Sequence, residues 1–229
     1  MLSDKIHCVN LTDNLLGETW YWAAWFVWIL LFAHSILRAP WGRLKDSEQF
    51  NVWLGMVVIL TLVWSMKAGI KQGLGLHLLG ATVFTLSFGT RLAFIGLSVV
   101  VAGITLNGAA GVFAFAINAL LLAGVGVGLS QMLFRAFFRL FPKHLFIYIF
   151  MNGFLGAGLT VIGVGLSAVL LLSLAGAYPL EYLLGEYLPY FMLLGFSEAW
   201  LSGMVMTLLV IYRPNWVLTF DDSRYLTDK

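Results

Sequence analysis

The chain has 229 residues, of which 61% are hydrophobic and only 10% charged, with a mean hydropathy of +0.92. A soluble domain carries about 25% charged residues, so the composition excludes one and indicates a polytopic membrane protein. A net charge of +2, with no basic stretch interleaved with aromatics, excludes a nucleic-acid partner, and the lone Cys8 excludes an internal disulfide framework.

The elements follow from apolar runs, since a spanning helix needs about 20 apolar residues. Asp4, Asp13 and Glu18 stand against Lys5 near the N-terminus, so residues 1–19 read as a polar tail and not as a cleaved signal. The first span is about Trp20–Leu37, with Trp20, Trp22, Trp25 and Trp28 as interfacial anchors. After the polar loop Arg38–Phe50 comes a second span, about Asn51–Met66. Lys67 and Lys71 mark a short turn. The third and fourth spans, about Leu74–Phe88 and Leu92–Leu106, flank Gly89 and Arg91. Both are short for a crossing, so they are either shielded by neighbours or the two arms of a re-entrant element. The fifth is about Phe113–Phe134. The sixth runs from about Leu145 to Leu174, where Gly153, Gly156 and Gly158 are candidate breaks. The last is about Leu188–Tyr212, stopped by Pro214. The expected fold is all-α, a single transmembrane domain over residues 20–214 with about seven helices, or six if the short pair is re-entrant. Residues 215–229 form a polar C-terminal tail.

Charge orients the spans. With the N-terminus outside, the cytoplasmic segments hold Arg38, Arg43, Lys45, Arg91, Arg135, Arg139, Lys143, Arg213, Arg224 and Lys229, and the outer ones Lys5, Lys67 and Lys71. That is a positive-inside bias, and it requires an odd number of crossings. Gly124 and Gly128 form a GxxxG pair, and Ala110/Ala114 and Ala119/Ala123 share its spacing, which suits close helix packing.

The stretch Gly73–Gly89 carries the first candidate for chemistry. If it is helical, Gly73, His77, Gly80, Ala81, Phe84 and Phe88 share one face, and His77 offers a nitrogen donor in a hollow of small residues. A polar residue inside a bilayer is a functional-site hypothesis by default, and imidazole suits nickel, copper, zinc and iron. Glu198 is the acidic residue set well inside a span, with Gly195 and Ser202 on its face. It either attracts a cation or pairs with a backbone or cationic group. Asn107, Asn118 and Asn152 are intramembrane amides, and Asn118 is the one placed to line a cavity. His7 and Cys8 lie in the tail, where adjacent nitrogen and sulfur donors can complete a site with His77. His34 and His144 read as interfacial. There is no phosphate-binding loop, no HExxH and no paired-cysteine zinc spacing, and no acid–base pair can be assembled, so no catalytic residue is assigned.

The segment Gly75-Leu-His-Leu-Leu-Gly80 followed by Phe88-Gly89 resembles the CbiM/NikM family, the cobalt/nickel-uptake membrane components of energy-coupling factor transporters. The resemblance continues through Leu106-Asn-Gly108, the helix around Asn118, Glu198 and Tyr212-Arg-Pro214. Tyr178–Pro189 and Asp221–Leu226 look like a divergent branch of predicted membrane permeases. The resemblance implies a substrate-capture subunit of a bacterial inner membrane, beside a coupling transmembrane protein and two cytosolic ATPases. It implies a transition-metal ion (nickel, cobalt or copper) as substrate, no cofactor and no enzymatic activity. In the family, a histidine directly after the initiator methionine binds the metal together with the histidine matching His77. Here position 2 is Leu2, so His77 alone carries over, and either another group, such as His7 or Cys8, replaces the terminal ligands or the substrate has changed. Glu198 and Asn118 belong to the cavity or the shell behind the ligands. Two other readings follow from the incomplete ligand set: capture of a corrinoid or vitamin-like solute, and a non-transporting assembly protein.

Overall fold

The computed structural model describes residues 11–13, 15–65, 68–69, 75–76, 78–108 and 110–225, without the side chains of 68–69 and 75–76. Its apolar helices are α1 (Glu18–Arg38), α2 (Ser47–Ser65), α3 (Ala81–Leu106), α4 (Phe115–Leu140), α5 (Leu145–Leu174) and α6 (Leu180–Tyr212), and a short α7 (Asp222–Tyr225) follows. The first six are each long and apolar enough to cross a membrane, α3 when its two arms are counted together. The all-α membrane architecture read from the sequence is therefore observed.

Local signals set the helix ends. α1 begins with Glu18, whose charge suits a helix N-terminus, and stops before Pro40. Asp46 caps α2 by accepting from the Glu48 amide at 2.9 Å. His144 caps α5 by accepting from the Phe146 amide at 3.3 Å. The last helix starts at Leu180, eight residues before the expected Leu188.

The expected third and fourth spans fall under the single stretch α3, and its middle decides its shape. Gly89 has φ 77° and ψ 170°, a conformation essentially reserved for glycine. There the chain reverses. A Cβ on Gly96 would meet the Phe84 ring, although residues twelve apart in a straight helix lie about 18 Å from each other. Trp53 of α2 touches both arms, packing on Phe84 and donating to the Leu92 carbonyl at 3.1 Å. α3 is thus a hairpin of a short arm, 81–88, and a long arm, 90–106. Every residue from 81 to 88 is buried, which is the shielding a short intramembrane arm requires.

The stretch Gly73–Gly89 is consequently not one helix. Gly75–Leu76 pairs with Ala68–Gly69 as extended chain, Gly80 sits in the left-handed region at φ 66°, and helix starts only at Ala81. The single face expected for Gly73, His77, Gly80, Ala81, Phe84 and Phe88 does not form. His77 itself, like His7, Cys8 and Leu2, lies outside the described residues.

The hairpin sits at the centre. In its apolar window 61% of residues are buried, against 17% in α1 and in α2, which therefore lie at the edge. α5 and α6 cross closely at glycine: a Cβ on Gly158 would lie 3.0 Å from the Gly195 carbonyl, and one on Gly195 would lie 3.1 Å from that of Gly158. Close approach through small residues is how helices associate where burial of apolar surface drives nothing. The GxxxG pair seen in the sequence does not do this. A Cβ on Gly128 would meet nothing within 4 Å, and one on Gly124 only ordinary contacts.

Two ends of the bundle are distinguishable. At one end, Arg43 donates to the carbonyls of Asn215 and Trp216, Arg91 donates to that of Arg38, and Tyr148 bonds Thr219. The segment after Pro214 closes this end, its Leu218 and Thr219 amides donating to the Ser87 and Leu86 carbonyls that terminate the short arm. At the other end, Leu11 and Asp13 bond the start of α4 and the turn before it. The described arginines and lysines (38, 43, 45, 91, 135, 139, 143, 213 and 224) all lie at or within two turns of the first end. The continuous α1 separates the ends by about 30 Å, at 1.5 Å per residue.

Candidate functional site

Two buried polar clamps organise the bundle interior. Glu198 projects from the middle of α6 and is 2% exposed. Its Oε2 accepts from the Leu79 amide at 2.8 Å and its Oε1 from the Gly80 amide at 2.7 Å. Ser202, one turn on, donates to Oε1 at 2.9 Å. The left-handed Gly80 turns two successive N–H groups toward one carboxylate, a concave backbone arrangement that suits an anion. The short arm begins immediately after, so the carboxylate also faces a helix N-terminus. Burying a carboxylate costs several kcal/mol unless its lone pairs are satisfied, and here both oxygens are engaged.

The second clamp is Asn118, completely buried near the start of α4. Its Oδ1 accepts from the Leu11 amide at 2.7 Å and its Nδ2 donates to the Leu11 carbonyl at 2.9 Å. One side chain thus satisfies both polar groups of one residue, as a neighbouring strand would. Asp13 strengthens the hold by accepting from the Ala114 amide at 2.8 Å. Tyr21 of α1 takes the Leu15 and Leu16 amides on its hydroxyl oxygen and donates to the Thr12 carbonyl at 3.0 Å. Between the clamps, Gly126 of α4 lies against Leu79 and Ala81. A buried hydroxyl chain, Thr82 to Ser130 to Thr160, links the short arm to α4 and α5 at 2.9 and 3.2 Å.

The sequence singled out Glu198, Ser202 and Asn118, and each makes buried polar contacts. Asn152 bonds the Tyr148 carbonyl within its own helix, while His34 is exposed. Asp13, Tyr21 and the three-hydroxyl chain were not singled out. Asp13 and Tyr21 sit in a polar tail and an aromatic belt, and nothing local marks them as bonded to backbone far away. Among the described residues no three His, Cys, Asp or Glu side chains come together.

A sequence model described as CbiM, the cobalt uptake substrate-specific transmembrane region, matches residues 10–216. The chain belongs to the CbiM family. No curated protein sequence matches it. A solved structure described as a truncated transition metal transporter superposes with a TM-score of 0.76 at 16% identity, covering 89% of this chain and 99% of that one. At that identity the likeness establishes a shared fold. The matched region of this CbiM-family chain includes both clamps, and it starts one residue before the Leu11 that Asn118 holds.

Proposed function

We propose that this CbiM-family protein is the substrate-binding membrane component of an energy-coupling factor type transporter that takes up a transition-metal ion of the cobalt or nickel class. The observation that carries the reading is the pair of clamps. Each fixes a segment that leads directly to donor residues: Glu198 holds Leu79 and Gly80, just after His77, and Asn118 holds Leu11, just after His7 and Cys8. Leu79 rests on Gly126, eight residues beyond Asn118 on the same helix, about 12 Å along it. Two residues of chain reach up to about 7 Å and three up to about 11 Å. Linkers of that length support a reading in which His77 and Cys8 meet at one ion between the clamps.

In this reading His77 is a ligand, His7 or Cys8 replaces the terminal histidine of the family, and Glu198 and Asn118 hold the ligand-bearing segments from behind. The cation-rich end faces the cytoplasm of a bacterial inner membrane by the positive-inside rule, so the Leu11 end faces outward, where the ion arrives. Energy comes from two cytosolic ATPases acting through a coupling transmembrane protein.

Metal analysis of the purified full chain tests this. About one equivalent of nickel, cobalt or copper is expected for a single imidazole-containing site, with binding lost in His77→Ala. No bound metal under any loading condition sinks the proposal, and metal-independent binding of a corrinoid moves it to another solute. Copurification with a non-ATPase complex, together with tolerance of His77→Ala, replaces it with an assembly role.

A further inference from the structure

A long groove runs between α2 and α6, floored by the short arm of α3. It encloses about 790 Å³ and its lining reaches from Ser47 to Val63 on α2, a length of about 24 Å at 1.5 Å per residue. Its walls are almost wholly apolar, with Gly55, Ile59, Leu201 and Val205 among them, and Glu198 and Ser202 lie at its depth. Gly55 marks a real hollow, since a Cβ there would meet nothing within 4 Å. The mouth is different in character. Trp216 closes one side, donating its indole N–H to Glu48 at 2.8 Å. Two guanidinium groups flank it: Arg43 donates to its carbonyl at 3.2 Å, and exposed Arg213 lies over its ring at 5.6 Å. Lys45, two residues before the Ser47 that lines the groove, is exposed.

We propose that this groove seats an acyl chain of an anionic phospholipid drawn from the leaflet at the cation-rich end. Two observations argue for this occupant. The apolar walls leave an unsolvated ion without ligands along most of the length, so the groove is not an ion path. The cations and tryptophan at the mouth stand where a phosphate headgroup lies when its chain enters from the membrane interface. The lipid seals the membrane side of the wall that holds Glu198, keeping water from the clamp. This inference is independent of the metal and stands or falls separately from it.

Native mass spectrometry of the full chain, delipidated and then titrated with phosphatidylglycerol or phosphatidylcholine of identical chains, tests it. One retained lipid is expected, with the anionic headgroup preferred. Gly55→Phe fills the hollow and lowers retention at least five-fold while the circular dichroism spectrum is unchanged. Val205→Trp, on the opposite wall, does the same and serves if the first variant folds poorly. Arg213→Gln lowers the preference for the anionic headgroup about five-fold, as expected for one interfacial cation, and leaves retention of the zwitterionic lipid as it was. Equal retention by wild type and both filling variants overturns the proposal. So does copurification of a membrane protein that is lost on filling the groove while lipid retention persists.

Discussion

The two clamps solve one problem with opposite chemistry. Each holds irregular backbone inside a membrane protein, where unpaired N–H and C=O groups cost several kcal/mol. Asn118 is neutral and both donates and accepts, so it completes one extended residue, Leu11. Glu198 only accepts, so it suits two successive amides at the start of a helix. The amide clamp tolerates either end of the chain it holds, whereas the carboxylate clamp requires a turn in which N–H groups converge, and Gly80 supplies it. The lesson is that a buried acid in a span is not evidence of a cation beside it, because backbone amides can satisfy it fully.

Substitutions that exchange these chemistries test the contrast. Glu198→Ala leaves two amides and the Ser202 hydroxyl unpaired, for a loss of roughly 4 kcal/mol from orphaned buried donors. Thermal unfolding in detergent should show the largest drop of the set, and Glu198→Gln should lose less because one amide oxygen still accepts. An unchanged melting temperature for Glu198→Ala would mean that the clamp contributes nothing.

Asn118→Asp is the mirror experiment. It keeps an acceptor for the Leu11 amide but points a second oxygen at the Leu11 carbonyl, costing about 3 kcal/mol for an unpaired buried polar group. Protection of the Leu11 amide in hydrogen exchange should fall while Leu79 and Gly80 stay protected. Loss at both places would show that the clamps are one cooperative unit and not two.

Gly158→Ala separates them from the side of packing. Its new Cβ would sit 3.0 Å from the Gly195 carbonyl, and forcing α5 from α6 costs about 2 kcal/mol. Because Glu198 rides on α6 and Asn118 does not, metal affinity in the reading proposed above should fall with little change at Leu11. Gly128→Ala is the smallest case. With open space around it, the substitution should be neutral or stabilise by about 0.5 kcal/mol through the lost flexibility of glycine, and a chemical-denaturation curve that falls well below wild type would restore the GxxxG pair as a packing contact.

Much of this was legible in the chain. The apolar runs, the prominence of Glu198 and the break at Gly89 followed from hydropathy, residue type and the positions of glycine, and the family likeness from the motifs around His77 and Glu198. The stretch around His77 was misread as a helix because glycine and leucine at helical spacing carry no sign of the left-handed Gly80 or of amides diverted to Glu198, 118 residues away. The GxxxG pair was a local pattern, whereas the close crossing at Gly158 and Gly195 is set by which helices the bundle brings together.

By itself, the sequence determined that this chain lives in a membrane, that its cations gather at one end and that its acid is intramembrane, because those properties depend on composition and on position along the chain. Tertiary structure alone decided that two short spans form a hairpin, that Glu198 faces backbone and that Asn118 grips the tail. The clamp contacts join residues more than a hundred positions apart, the hairpin turns on a backbone reversal at Gly89, and the free energy of a buried polar group depends on the partner it meets.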